Sequence, residues 1–140
     1  MSLAMSKDQR EKFLAGVHVG IVGIQREGKG PLTVPIWYDY EPGGELWMIT
    51  QNTSIKGKLL AMTERISLCV QTEVAPYQYV SIEGPFSTNE STTAQLLSMA
   101  VRYLGEEQGK AYAEGSGDGE GSIVVRIKPE TWYSVDYGKL

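Results

Sequence analysis

Residues Val17–Gln51 read VHVGIVGIQREGKGPLTVPIWYDYEPGGELWMITQ. Three β-rich segments lie here, separated by turn chemistry and by no helix. Val17 to Gln25 is rich in Val and Ile, which predicts a buried strand. Arg26-Glu27-Gly28-Lys29-Gly30-Pro31 is a turn. Leu32, Val34, Ile36, Tyr38 and Tyr40 alternate with more polar positions, so a second strand follows. Glu41-Pro42-Gly43-Gly44 turns the chain again, and Glu45 to Gln51 is a third strand. Connections this short join antiparallel strands, so the stretch reads as a meander. Pro35 cannot donate to a ladder, which places it at an edge or a bulge.

Working outward, Ser6 to Leu14 predicts a short helix. Ser6 and Gln9 have capping-box spacing, and Gly16 stands where a C′ glycine would. A second helix is predicted over Ser54 to Met62. Arg65 to Thr72 and Tyr77 to Thr88 read as two more strands, with Val80 and Ile82 facing one way and Tyr79, Ser81 and Glu83 the other. Leu96, Leu97, Ala100 and Leu104 give Ser91 to Tyr103 a helical spacing, and Glu106 to Ala113 continues as a short helix. Gly115 to Gly121 reads as a flexible loop. Ser122 to Trp132 is a final strand, with Ile123, Val125 and Ile127 on one face. Strands in sequential hairpins favour an α+β antiparallel barrel over a doubly wound parallel sheet. One domain is expected over residues 1–140, with an N-terminal helix at about 6–16, a helical insertion at about 91–113 and a glycine loop at about 114–121.

Composition narrows the chemistry. A chain of 140 residues buries enough surface to stand without a staple. With one His and one Cys it cannot assemble a His/Cys zinc site. A serine or cysteine nucleophile would have to recruit His18. The net charge of −4 argues against a general nucleic-acid surface, while leaving room for a local basic pocket. No apolar run approaches the ~20 residues of a membrane helix. Met1 to Arg10 has no signal-peptide plan, Met5 offers an alternative start, and the default compartment is the cytoplasm.

Some motifs tempt and fail. Gly23 to Gly30 nearly spells a phosphate loop, but Gly30 lacks the magnesium-binding hydroxyl and a strand follows where a helix should. Gly115 to Gly121 lies after a helix and before a strand, the reverse of dinucleotide-binding order. His18 between Val17 and Val19 is more simply a satisfied structural imidazole than a base, and Cys69 a small buried hydrophobe. Thr50-Gln51-Asn52-Thr53-Ser54-Ile55-Lys56-Gly57-Lys58 is different. It leaves a strand, crosses polar residues and enters a helix whose N-terminus favours an anion, with hydroxyls and two lysines nearby. A phosphate cradle and an ordinary capped helix both account for it. Trp37, Tyr38, Trp47, Tyr77, Tyr79, Trp132 and Tyr133 can wall an apolar cleft, or serve as core or interface.

Taken in order, Pro35-Ile36-Trp37-Tyr38, Gly44-Glu45-Leu46-Trp47, Thr50 with Ser54-Ile55-Lys56, Arg65 to Val70 and Val80-Ser81-Ile82-Glu83-Gly84 form a recognisable pattern. The chain resembles the split β-barrel flavin and deazaflavin oxidoreductases related to pyridoxamine 5′-phosphate oxidase, over roughly residues 8–135. The resemblance implies a homodimer with two cofactor sites at the subunit interface, binding FMN or the deazaflavin coenzyme F(420). It implies that Lys56 holds the cofactor phosphate with Ser54 beside it, that Thr50 lies near the phosphate and ribityl chain, and that Lys58 is a second basic residue. It places the backbone of Ile36 and Trp37 along the ring edge, and Tyr77 and Tyr79 on the strand offered by the partner subunit.

The departures from the pattern count too. Ile55 stands where pyridoxamine phosphate oxidases carry an arginine, and the ending from Trp132 to Leu140 has no arginine to grip a substrate phosphate. That argues against pyridoxamine 5′-phosphate oxidase activity and leaves FMN and F(420) both open. The expected function is hydride transfer to or from a small molecule through a flavin-type cofactor, which suits a chain poor in acid–base side chains. The alternative is a non-catalytic carrier of a flavin or tetrapyrrole on the same fold.

Overall fold

The computed structural model describes residues 2–117 and 119–140. Asp118, within the glycine-rich stretch read as a loop, lies outside them. The elements are α1 (Lys7–Ala15), β1 (Gly20–Ile24), β2 (Leu32–Ile36), β3 (Tyr38–Tyr40), β4 (Leu46–Gln51), α2 (Ile55–Leu60), β5 (Arg65–Gln71), β6 (Gln78–Glu90), α3 (Thr93–Leu104), α4 (Glu106–Gly115), β7 (Ser122–Ile127) and β8 (Thr131–Asp136), then a single 3₁₀ turn (Tyr137–Lys139). The sheet runs β2-β1-β5-β6-β7-β4-β3, with β8 also paired to β6, and its pairings are antiparallel. Strands adjacent in sequence, β2 and β3, thus end up at opposite ends of the sheet path, which is how a sheet curls into a barrel that stays open.

The alternation read from the sequence is realised. Val22, Leu68, Val80 and Ile82 point inward and are essentially buried, joined by Leu46, Met48, Val125 and Ile127, with Leu14 of α1 and Leu60 of α2 closing the core. The Ser6–Gln9 capping box starts α1, and a second box, Thr92 with Gln95, starts α3. Each satisfies helix N–H groups that would otherwise lack partners.

Four expectations are corrected. The single strand expected over Leu32–Tyr40 breaks at Trp37: β2 pairs with β1, and β3 with β4. The hydrophobic alternation runs through the break unchanged, so it carries no trace of a change of partner. The meander is therefore two separate hairpins. The strand expected over Ser122–Trp132 is also two, because Pro129 interrupts it; β7 pairs with β4 and β6, while β8 returns along the other half of β6. The buried strand expected from Val17 begins only at Gly20, and Val17 and Val19 are exposed. Gly16 is extended (φ −67°) and not left-handed. It is small because a Cβ there would crowd His18 Nε2 at 3.0 Å and Phe13 O at 3.2 Å. Pro35 lies on edge strand β2, as its missing N–H requires.

Tyr38 shows how β3 is held from inside. Its side chain is fully buried and its hydroxyl donates to Leu14 O at 2.7 Å. Removing that hydroxyl in Tyr38→Phe leaves the Leu14 carbonyl without this donor. We expect a loss of about 1–1.5 kcal/mol, read as a lower denaturant midpoint with an unchanged slope.

Candidate functional site

β4 ends at Gln51, and the chain turns tightly into α2. Ser54 caps the helix: its Oγ accepts from Gly57 N at 3.1 Å and donates to Gln51 O at 2.6 Å. Thr50 Oγ1 lies 3.2 Å from Ser54 Oγ. Since the serine proton is committed to Gln51, the buried threonine supplies the proton of that contact. Both hydroxyl protons are therefore spent inside the turn. Gly57 lets the helix sit this close, because a Cβ there would collide with Gln51 O and meet Asn52 Cα at 2.7 Å.

Lys56 is half-buried and Lys58 exposed, and among the described residues neither forms an ion pair. A polar recess of about 670 Å³ opens beside the turn, lined by Gln51, Asn52, Thr53, Glu90, Ser91 and Ser122 among others. That recess carries Glu90 and Glu120, and neither lysine lines it. A phosphate-bearing group at this turn would be met by Lys56 and Lys58 of α2, with Ser54 and Thr50 shaping the turn. Two residues apart on the helix, the two lysines do not share a face.

Ile36 ends β2 and Trp37 joins it to β3. Tyr38 pairs with Met48 of β4, whereas Ile36, two residues earlier, pairs with Gly20 of β1. At Trp37 the chain leaves β4 and crosses to β1, so the sheet opens there; α2 packs against both β4 and β1. Ile36 packs against the core. The Trp37 indole points the other way and stacks on Tyr103 of α3 (centroids 4.9 Å, planes 5° apart), with Tyr112 of α4 at 5.5 Å.

Tyr77 and Tyr79 are not brought to the lysines within one chain. Tyr79 pairs with Gln71 and Val135, at the end of β6 remote from β7. It lies seven residues before Phe86, where β6 meets β7, roughly 20 Å along the strand. Both tyrosines border the outer face of the β1–β5–β6–β8 sheet, across which Pro35, Ile21, Cys69, Ser81 and Tyr133 form one cross-strand row. Val19, Ile21, Tyr77 and Tyr133 on or beside that face are exposed. A recess of about 640 Å³ on it is lined by His18, Val19, Ile21, Pro35, Cys69 and others.

The aromatics divide. Tyr38 belongs to the core, and Trp132 lies beneath Arg10, whose guanidinium sits 4.6 Å from the ring centroid; neither walls a cleft. His18 is structural: its ring stacks on Phe13 at 4.6 Å and its Nε2 contacts Phe13 O at 3.1 Å. Burial lowers its pKa, and burial raises that of the Cys69 thiol. Because folded His18 releases its proton more readily than the unfolded chain, its contribution to stability is present above the ordinary imidazole range (~6.5) and lost as pH falls below it. We expect His18→Gln to flatten the fall in melting temperature between pH 7 and 5. The hairpin turn after β1 is no phosphate loop; β2 follows it, and Arg26 Nε donates to Gly30 O at 2.9 Å.

Two residues without a role in the sequence reading, Arg102 and Tyr103, face this region from α3. Arg102 donates to Tyr38 O and Gly16 O, each at 2.9 Å, and pairs with Asp39 at 3.1 Å. Their signal is faint: two polar-tipped side chains near the end of an amphipathic helix.

No protein-family profile matches the chain, and no curated protein matches it in sequence. Solved structures do match. A conserved hypothetical protein, Rv2991, from Mycobacterium tuberculosis is 23% identical with a TM-score of 0.78, covering 99% of this chain and 89% of that one. An F420 reductase is 18% identical with a TM-score of 0.74, covering 88% and 94%. An FAD and heme binding protein from Mycobacterium smegmatis is 16% identical with a TM-score of 0.69, covering 94% and 70%. At such identities the likeness shows the fold: an α+β antiparallel split barrel, as the sequence pattern led us to expect. Among the described residues no helix is long and apolar enough to cross a membrane.

Proposed function

We propose that this chain is an oxidoreductase that binds FMN or the deazaflavin coenzyme F(420) and transfers hydride to or from a small molecule, and that it works as a cytoplasmic homodimer. The observation that carries the reading is the pair Lys56 and Lys58, without carboxylate partners among the described residues, on a protein of net charge −4 and at the turn from β4 into α2. The fold shared with an F420 reductase and with an FAD and heme binding protein supports it.

The bound group supplies the hydride-accepting and hydride-donating centre. Lys56 and Lys58 neutralise its phosphate. The Ser54–Gln51–Gly57 hydrogen bonds fix the turn that aims them. The main chain of Ile36 and Trp37 lines the ring edge. Tyr77 and Tyr79 come from the second copy, whose docking covers the exposed apolar face of the β1–β5–β6–β8 sheet. An exposed patch of this kind is a recognised mark of an interface.

One observation favours a second reading, a carrier without turnover. The single imidazole is held against Phe13, and the single thiol is half-buried on the outer face with no base hydrogen-bonded to it among the described residues. The two readings separate when cofactor-loaded protein is offered reductant and a panel of small acceptors. Turnover with any acceptor supports the enzyme; tight cofactor binding with none supports the carrier. Sedimentation equilibrium tests the homodimer, which a monomer at micromolar concentration contradicts.

A further inference from the structure

Reading residues 91–113 as a helical insertion gives α3 no task at the site. Two of its side chains nevertheless reach the open edge of β3. Tyr38 begins β3, which among the described residues has a strand partner on one side only. Its N–H donates to Tyr103 Oη at 3.0 Å, and its carbonyl accepts from Arg102 Nε at 2.9 Å. These two side chains thus act where a neighbouring strand would. A phenol has one proton. The closest carbonyl to Tyr103 Oη is His18 O at 2.6 Å, so the proton goes there, and the oxygen ties β3 to the segment that enters β1. The same ring lies flat against Trp37. The phenol therefore ties the start of β3 to the segment that leads into β1.

We propose that Tyr103 is a positioning residue for the Ile36–Trp37 edge of the cofactor site. This rests on the reading above, in which that main chain lies along the cofactor ring. The Trp37 indole is committed to Tyr103 and Tyr112, so the edge offers a ring its backbone and not its aromatic face. Tyr103 fixes where that backbone stands through the next residue, Tyr38.

Tyr103→Phe keeps the stack on Trp37 and removes only the bridging oxygen. With FMN as the probe, we expect about tenfold weaker binding, because an edge no longer held by the phenol must be ordered when the cofactor binds. We also expect a shifted absorbance band and midpoint potential of the bound flavin, with faster amide exchange at Tyr38. Unchanged affinity, spectrum and potential overturn the proposal even if the melting temperature falls, since a purely structural role would move only the latter. Wild-type protein that binds neither FMN nor F(420) overturns the parent reading and this one together, whereas wild-type binding with an indifferent Tyr103→Phe overturns this one alone. Should Tyr103→Phe not fold, Arg102→Lys provides the second arm. It keeps a cation for Asp39 but loses the guanidinium fork that reaches Tyr38 O. The same spectral shift is expected there, and a wild-type spectrum contradicts the proposal.

Discussion

Replacing Lys56 by alanine is expected to weaken FMN binding by about 1.5–3 kcal/mol, roughly 10- to 150-fold, the usual size of a hydrogen bond to a charged group. The expectation follows from what the rest of the turn has already spent. The Ser54 proton goes to Gln51 O, and the Thr50 proton goes to Ser54 Oγ. Either hydroxyl could donate to a phosphate only by giving up a hydrogen bond it already makes inside the turn. That leaves the cationic side chains to carry most of the recognition. Lys56 is half-buried, where its charge is less screened, and Lys58 is exposed. Lys58→Ala should therefore cost less, and its loss should shrink further as salt is added. Titration of FMN into both variants and wild type at two ionic strengths checks this ordering. Affinity unchanged in Lys56→Ala removes Lys56 from the site.

The second large effect is on stability. Gly84→Ala should destabilise the protein by about 3 kcal/mol, a fall of about 10 °C in melting temperature. A Cβ at Gly84 would collide with Lys128 O, and would lie 3.0 Å from Lys128 C and 3.3 Å from Glu130 N. All three are backbone atoms, so no side chain can swing aside. The backbone there cannot drift either, because Lys128 N donates to Pro85 O and Glu130 N to Glu83 O, each at 2.9 Å. Gly84 stands where β6 hands over its partner: Glu83 still pairs with Thr131 of β8, and Phe86 already pairs with Ile127 of β7. The link between β7 and β8 crosses at this point, and only a glycine admits it. Gly30→Ala is the control, since a Cβ there meets nothing within 4 Å. Equal melting temperatures for Gly84→Ala and wild type would show that the link is free to move.

The fold was legible where hydrophobic period and turn chemistry agree. Val80 and Ile82 face inward and Tyr79 and Ser81 outward, because one face of a half-buried strand must be apolar. The Ser6–Gln9 box formed because it is wholly local. The barrel's opening was not legible. Period-2 alternation is blind to which strand is the partner, so Leu32–Tyr40 shows no seam at Trp37, although β2 and β3 pair with different strands. Gly84 looked like any strand glycine, since the backbone that crosses it comes from more than forty residues further along the chain. At the site, residues clustered in sequence stay clustered: Thr50 near the end of β4, the cap Ser54, and Lys56 and Lys58 of α2 share one strand–helix junction. Tyr103 and Arg102 reach the start of β3 from α3, about 65 residues after Tyr38, through contacts that no local pattern announces.

Every role proposed for Lys56, Lys58 and Tyr103 requires that this protein hold a flavin-type cofactor. The direct measurement is an absorbance spectrum of the purified wild-type protein, followed by titration with FMN and with coenzyme F(420). Saturable binding of at least one of them at micromolar concentration, weakened in Lys56→Ala, is the predicted result. A protein that emerges colourless and gives no saturable change with either cofactor would show that it holds no flavin-type group.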